Sequence, residues 1–86
     1  MEETLITYPS SFPIKIMGED RDDFSQTILA IVLRHAPDFD PSSMEKRPSK
    51  AGKYMGLTCT INATSREQLD ALYLELTACP LIKLVL

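Results

Sequence analysis

Tyr54-Met55-Gly56-Leu57-Thr58-Cys59-Thr60-Ile61-Asn62-Ala63, followed at once by Thr64-Ser65-Arg66-Glu67, decides how the rest of the chain is read. In the first ten residues the side chains alternate. Met55, Leu57, Cys59 and Ile61 fall on one face, and Tyr54, Thr58, Thr60 and Asn62 on the other. Period-two alternation rich in β-branched residues marks a half-buried strand. The period then changes. Leu69, Leu72, Tyr73 and Leu76 recur at helical spacing, so a helix is predicted over 65–78. Thr64-Ser65-Arg66-Glu67 reads as a capping box, with Thr64 as the cap and Glu67 at the third helical position. Pro80 stops the helix, and 81–86 (Leu-Ile-Lys-Leu-Val-Leu) is a short apolar strand.

Working back toward the N-terminus, Pro48-Ser49-Lys50-Ala51-Gly52-Lys53 is a hairpin loop in which Gly52 can take positive φ. The hairpin needs a partner strand, and 43–47 supplies it. Asp38 to Ser42 is a turn-rich link. Before it, Phe24, Ile28, Ile31, Val32 and His35 mark a helix over 21–35 that Pro37 ends. Asp20 is expected to cap that helix, with Asp22 and Asp23 in its first turn, where the dipole favours negative charge. Gly18-Glu19-Asp20 is expected to break the strand ahead of it. In that strand Phe12, Ile14 and Ile16 alternate with Pro13, Lys15 and Met17. Pro13 has no N–H and belongs at the strand's start or on an unpaired side. Residues 1–11 read as an N-terminal arm whose Leu5, Ile6 and Tyr8 could pack onto the body, and 12–86 as a single domain.

The order strand, helix, strand, strand, helix, strand is the split βαβ plan. The expected fold is therefore α+β: a ferredoxin-like βαββαβ sandwich, a four-stranded antiparallel sheet with two helices on one face. The other face would show Lys15, Met17, Tyr54, Thr58, Thr60, Lys83 and Val85.

Composition narrows the function classes. The chain has 86 residues, a formal net charge of −3 and a pI near 5.0. An acidic domain is a poor nucleic-acid binder by default, and one tyrosine on the open face is no stacking platform for RNA bases. Charge is uneven, however. Nine of the twelve acids and three of the nine bases precede residue 46. Lys46, Arg47, Lys50 and Lys53 then form a local basic hairpin on an acidic body, and these four are the candidate partner-binding residues. Two cysteines are too few for a disulfide framework and fit no zinc spacing. Asp20, Asp22 and Asp23 lack the calcium-loop pattern, so no metal or other cofactor is expected. His35 is the single histidine and has no nucleophile placed beside it, so no catalytic residue is assigned. No signal peptide and no membrane-length apolar run is visible. The expected setting is the cytoplasm, without membrane or nucleic-acid partners.

Pro48-Ser49, Gly52, Tyr54, Thr60-Ile61-Asn62-Ala63-Thr64, Glu67-Gln68, Leu72-Tyr73, Glu75-Leu76 and Val85-Leu86 resemble the YbeD-like family of small bacterial proteins of unassigned function. Phe12-Pro13, Met17-Gly18 and Arg34-His35-Ala36-Pro37 match the same pattern, so the likeness covers nearly all of the chain from Phe12 onward. The resemblance implies a fold similar to ACT domains, which bind amino acids and regulate metabolic enzymes. It also implies a lipoate-related metabolic enzyme as partner and an edge-to-edge homodimer. It places a ligand near the loop after the first strand, at Gly18, and with it we take Asp20 and Tyr54 as candidate ligand-binding residues. The resulting expectation is a non-enzymatic regulatory or adaptor module that senses an amino acid or lipoate-related metabolite and modulates a partner enzyme. The alternative is a protein-interaction domain that docks an acidic partner through hairpin 46–53 with no small ligand.

Overall fold

The computed structural model describes residues 7–86. Four strands and two helices follow in the order β1 (Ser10–Glu19), α1 (Phe24–His35), β2 (Glu45–Pro48), β3 (Tyr54–Ala63), α2 (Arg66–Ala78) and β4 (Ile82–Val85). A short 3-10 turn, Pro41–Ser43, leads into β2. The strands form one sheet in the order β2-β3-β1-β4, and every neighbouring pair is antiparallel. This is the expected βαββαβ sandwich.

One face of the sheet carries the core. Ile14 and Ile16 of β1 and Leu57, Cys59, Ile61 and Ala63 of β3 are fully buried with Phe24, Ile28 and Val32 of α1 and Leu72 and Leu76 of α2. Each strand sends alternate residues to that face, and each helix sends its i, i+4 stripe back.

Several boundaries differ from expectation, each for a physical reason. β1 starts at Ser10, so the arm expected over 1–11 gives two of its residues to the sheet. Tyr8 packs against the core, and residues 1–6, with Leu5 and Ile6, lie outside the described residues. Gly18 does not break β1. It pairs with Met55 on one side and Ile82 on the other. Asp20 does not cap α1, because its N–H donates to the carbonyl of Lys53 at 2.9 Å and so continues the β1–β3 pairing. The chain turns over Arg21–Asp23 and α1 starts at Phe24, with Asp23 at the cap position and no acid in the first turn.

The cap of α2 is one residue later than the sequence pattern implied. Ser65 is extended, at φ −164° and ψ 163°, and its Oγ accepts from the N–H of Gln68 at 3.0 Å. The Gln68 Oε1 in turn accepts from the N–H of Thr64 at 2.7 Å. The reciprocal pair is thus Ser65 and Gln68 in place of Thr64 and Glu67. Glu67 still sits in the first turn, where the dipole favours it.

β2 runs over Glu45–Pro48, displaced from the expected 43–47. As an edge strand bonded only to β3, it tolerates Pro48. Pro13 is accommodated similarly. Lys15 exchanges backbone hydrogen bonds with Leu86 on the β4 side, and Pro13 faces that side two residues earlier, before the pairing with β4 begins. In the hairpin loop Gly52 has φ +72°, the conformation expected of it.

Candidate functional site

The face of the sheet away from the helices holds a hollow of about 440 Å³. The register builds it in rows. Arg47 of β2, Gly56 of β3, Met17 of β1 and Leu84 of β4 lie side by side. In the next row stand Glu45, Thr58 and Lys15, with Leu86 beside Lys15. On the other side of the Arg47 row, Tyr54 faces Glu19. Met17, Leu84 and Leu86 are 43%, 48% and 67% exposed, large apolar groups standing in water.

Two of these apolar residues were not foreseen. Lys83 and Val85 were expected on the open face, but a register irregularity between Met17 and Gly18 changes the phase of β4. Gly18 pairs with Ile82 and Met17 with Leu84, so Lys83 falls outside the ladder. Its Nζ reaches Glu19 at 3.9 Å. Val85, opposite Ile16, therefore joins the core side, and Leu84 and Leu86 take the open side. A bulge re-aims the side chains beyond it, and no periodicity in six residues announces one.

The residues singled out from sequence are only partly brought together. Tyr54, Lys46 and Arg47 line the hollow. Lys46 pairs with Leu57, so by register it belongs to the helix side and borders the hollow at the strand edge. Lys50 and Lys53 stand on the hairpin tip, outside the hollow, and the Lys53 Nζ lies 5.7 Å from the centre of the Tyr54 ring. Asp20 is tied to the same tip through its backbone. Gly18 is buried on the opposite face. A Cβ built on it would stand 2.5 Å from Cε1 of Phe24, so the space beside it is filled by the protein.

Behind the core, a polar cluster joins the two helices. The carboxylate of Glu75 on α2 accepts from the Arg34 guanidinium and lies 2.7 Å from Nε2 of His35, both in the last turn of α1. The Gln68 side-chain amide donates to the carbonyl of His35 at 2.8 Å. Glu75 is held below the usual carboxylate range by the Arg34 hydrogen bond first and the His35 contact second. Arg34 is correspondingly raised, chiefly by its bond to Glu75. Glu75 and Gln68 stand among the YbeD-like motif residues, but their role in joining the helices is not legible there, because the helical stripe marks the apolar face and says nothing about neighbours on another helix. The one histidine is therefore engaged in helix packing, away from the hollow. The Cys59 thiol is pushed up to about 11 by burial, which suits a core residue and not a nucleophile. Among the described residues, no group of three or more His, Cys, Asp and Glu side chains is placed to hold a metal. No described helix is long and apolar enough to cross a membrane.

Comparison with known proteins fits this architecture. The family described as "Protein of unknown function (DUF493)" matches residues 3–86. A UPF0250 protein of Bordetella parapertussis is 58% identical over 85 residues, covering 99% of this chain and 93% of the relative. A UPF0250 protein of Nitrosomonas europaea is 53% identical, covering 99% and 98%. Among solved structures, the ACT domain from GTP pyrophosphokinase of Chlorobium tepidum superposes with a TM-score of 0.60 over 90% of this chain and 97% of that one. At 18% identity that likeness speaks for the fold alone. With relatives that align over almost the whole chain, and a sheet and helices arranged as the YbeD-like motifs implied, the chain belongs to the DUF493 family of UPF0250 proteins.

Proposed function

We propose that the protein is a non-catalytic regulatory or adaptor module that acts by binding at the open face of its sheet. The observation that carries this reading is the hollow there, where Met17, Leu84 and Leu86 remain exposed beside Lys15 and Arg47. A solvated sheet face normally carries polar side chains, so exposed apolar groups in one row with cations mark a binding surface. The side chains around it favour binding over chemistry. Lysine, arginine, threonine and tyrosine can orient and neutralise a ligand, and the histidine that would serve as a general base is committed to Glu75. Binding would change the partner's activity through the difference in affinity between its two states. In this reading the partner is a metabolic enzyme, and the setting is the cytoplasm.

The test is genetic and chemical together. A strain whose chromosomal copy carries Met17→Asp with Arg47→Glu is compared with the deletion strain by metabolite profiling. The expected result is that the two profiles coincide while the variant protein stays folded. A variant profile equal to that of the unaltered strain overturns the proposal.

A second reading follows the resemblance to the YbeD-like family: a small metabolite, an amino acid or lipoate-related compound, sensed near Asp20 and Tyr54 at the end of β1, since Phe24 and Leu81 fill the space beside Gly18 itself. Amide NMR with free amino acids and lipoate at millimolar concentration separates the two. Shifts at 18–20 and 54 favour the metabolite site. Shifts confined to Lys15, Met17, Gly56 and Leu84 favour the open face.

A further inference from the structure

We infer that the occupant of the open face is an extended, acidic and apolar segment of a partner protein. It crosses the strands with its carboxylates at Arg47 and Lys15 and its apolar side chains on Met17, Leu84 and Leu86. The inference rests on the reading that this face binds.

The hollow is divided by chemistry. Its β2–β3 side presents Arg47, with Lys46 at the rim, and Lys15 stands one row away beside Thr58. Its β1–β4 side presents the three exposed apolar residues. Gly56 lies between the halves and puts no side chain on the floor. A Cβ there would meet only the Arg47 carbonyl oxygen, at 3.5 Å, so the dent is open space and not a packing necessity. Strands lie about 4.8 Å apart, which puts Arg47 about 14 Å from Leu84 across three spacings. At about 3.3 Å per residue, an extended segment of four or five residues covers that row.

Charge complementarity selects the occupant. Among the side chains that line the hollow, three are cationic and one, Glu45, is a carboxylate. None of the three cations makes an ion pair among the described residues. A second copy stacked face to face would set two cation excesses against each other. A nucleic acid would find one aromatic ring, Tyr54, on which to stack a base. A small metabolite would lie in a hollow about half open to solvent, whereas small-molecule sites enclose most of the ligand surface. An acidic and apolar segment neutralises the cations and removes Met17, Leu84 and Leu86 from water in one step.

The probe is the peptide acetyl-Glu-Glu-Ser-Leu-Ser-Leu-amide, titrated into the labelled protein and followed by amide NMR. Saturable shifts are expected at Lys15, Met17, Gly56 and Leu84. Binding is expected to weaken at least roughly fivefold in Lys15→Glu with Arg47→Glu, and to hold in Lys50→Glu with Lys53→Glu. Replacing the peptide's leucines by serine, or its glutamates by glutamine, is expected to abolish the response without touching the protein's fold. The inference is overturned by an absence of saturable shifts at millimolar peptide, or by equal binding of the serine peptide. It is also overturned if single-stranded oligouridylate binds more tightly, or if the protein alone shows concentration-dependent shifts across the face. Tighter binding of octanoate at the same residues removes the peptide occupant but leaves the face as a binding site. Peptide shifts confined to 18–20 remove both readings.

Discussion

Phe24 lies where any side chain on Gly18 would be. The glycine pairs with Met55 in the β1–β3 ladder, and its lack of a Cβ serves close packing of the Leu81 carbonyl and the α1 ring against β1. Gly18→Ala is expected to destabilise the fold by roughly 2 kcal/mol through overpacking, read from urea unfolding. Gly56→Ala has room and is expected to cost far less. At Glu75 the effect is one of pH. Its folded pKa lies below the ordinary 4.5 because Arg34 and His35 stabilise the carboxylate. A group depressed in the folded state adds stability that is present above 4.5 and lost as pH falls through the lower folded value. The unaltered protein is therefore expected to lose more melting temperature on acidification through that window than Glu75→Gln does. Parallel curves would dismiss the linkage.

Among the elements, β3 was the most legible. Its ten residues alternate without interruption, and its bounds, Tyr54–Ala63, match the reading from sequence. Helix ends were less legible, since Thr64 and Ser65 are adjacent and each is followed three residues later by a Glu or Gln. What decides between them is the backbone, because Ser65 is the extended residue and Gln68 can reach back to Thr64. Ser65→Ala should cost about 1 kcal/mol and Thr64→Ala less, because only Ser65 accepts a helix N–H. The start of α1, at Phe24 and not near Arg21, is hidden for a similar reason. Three aspartates compete for the cap, and the pairing of Asp20 with Lys53, fixed by the hairpin across the sheet, removes the first of them. The sense in which β4 faces was illegible, since the bulge depends on what lies beside it.

For the molecule as a whole, the two-layer plan was readable from two periodicities in the right order, and the site was not. In the sequence Lys46 and Arg47 read as part of a basic loop, yet only the sheet brings Arg47 beside Gly56, Met17 and Leu84. Such proximity joins residues from four separate strands, and a linear reading sees only clusters along the chain. The layered core makes a whole-molecule prediction. Leu72 is fully buried between α2 and the sheet, so Leu72→Asp should abolish cooperative unfolding, a loss of roughly 4 kcal/mol or more. Lys83→Glu, at an exposed bulge position, should leave the dispersed NMR spectrum of a folded domain intact.

The placement of β1 between β3 and β4 has a consequence for biosynthesis. The strand translated first must wait for 82–85, translated last of all the elements, before its second edge is paired. Until 82–85 has left the ribosome, β1, α1, β2 and β3 can collapse, but one edge of the central strand stays unzipped. Closure is thus the last step of sheet assembly, and the interval before 82–85 pairs is when holdase chaperones have something to grip.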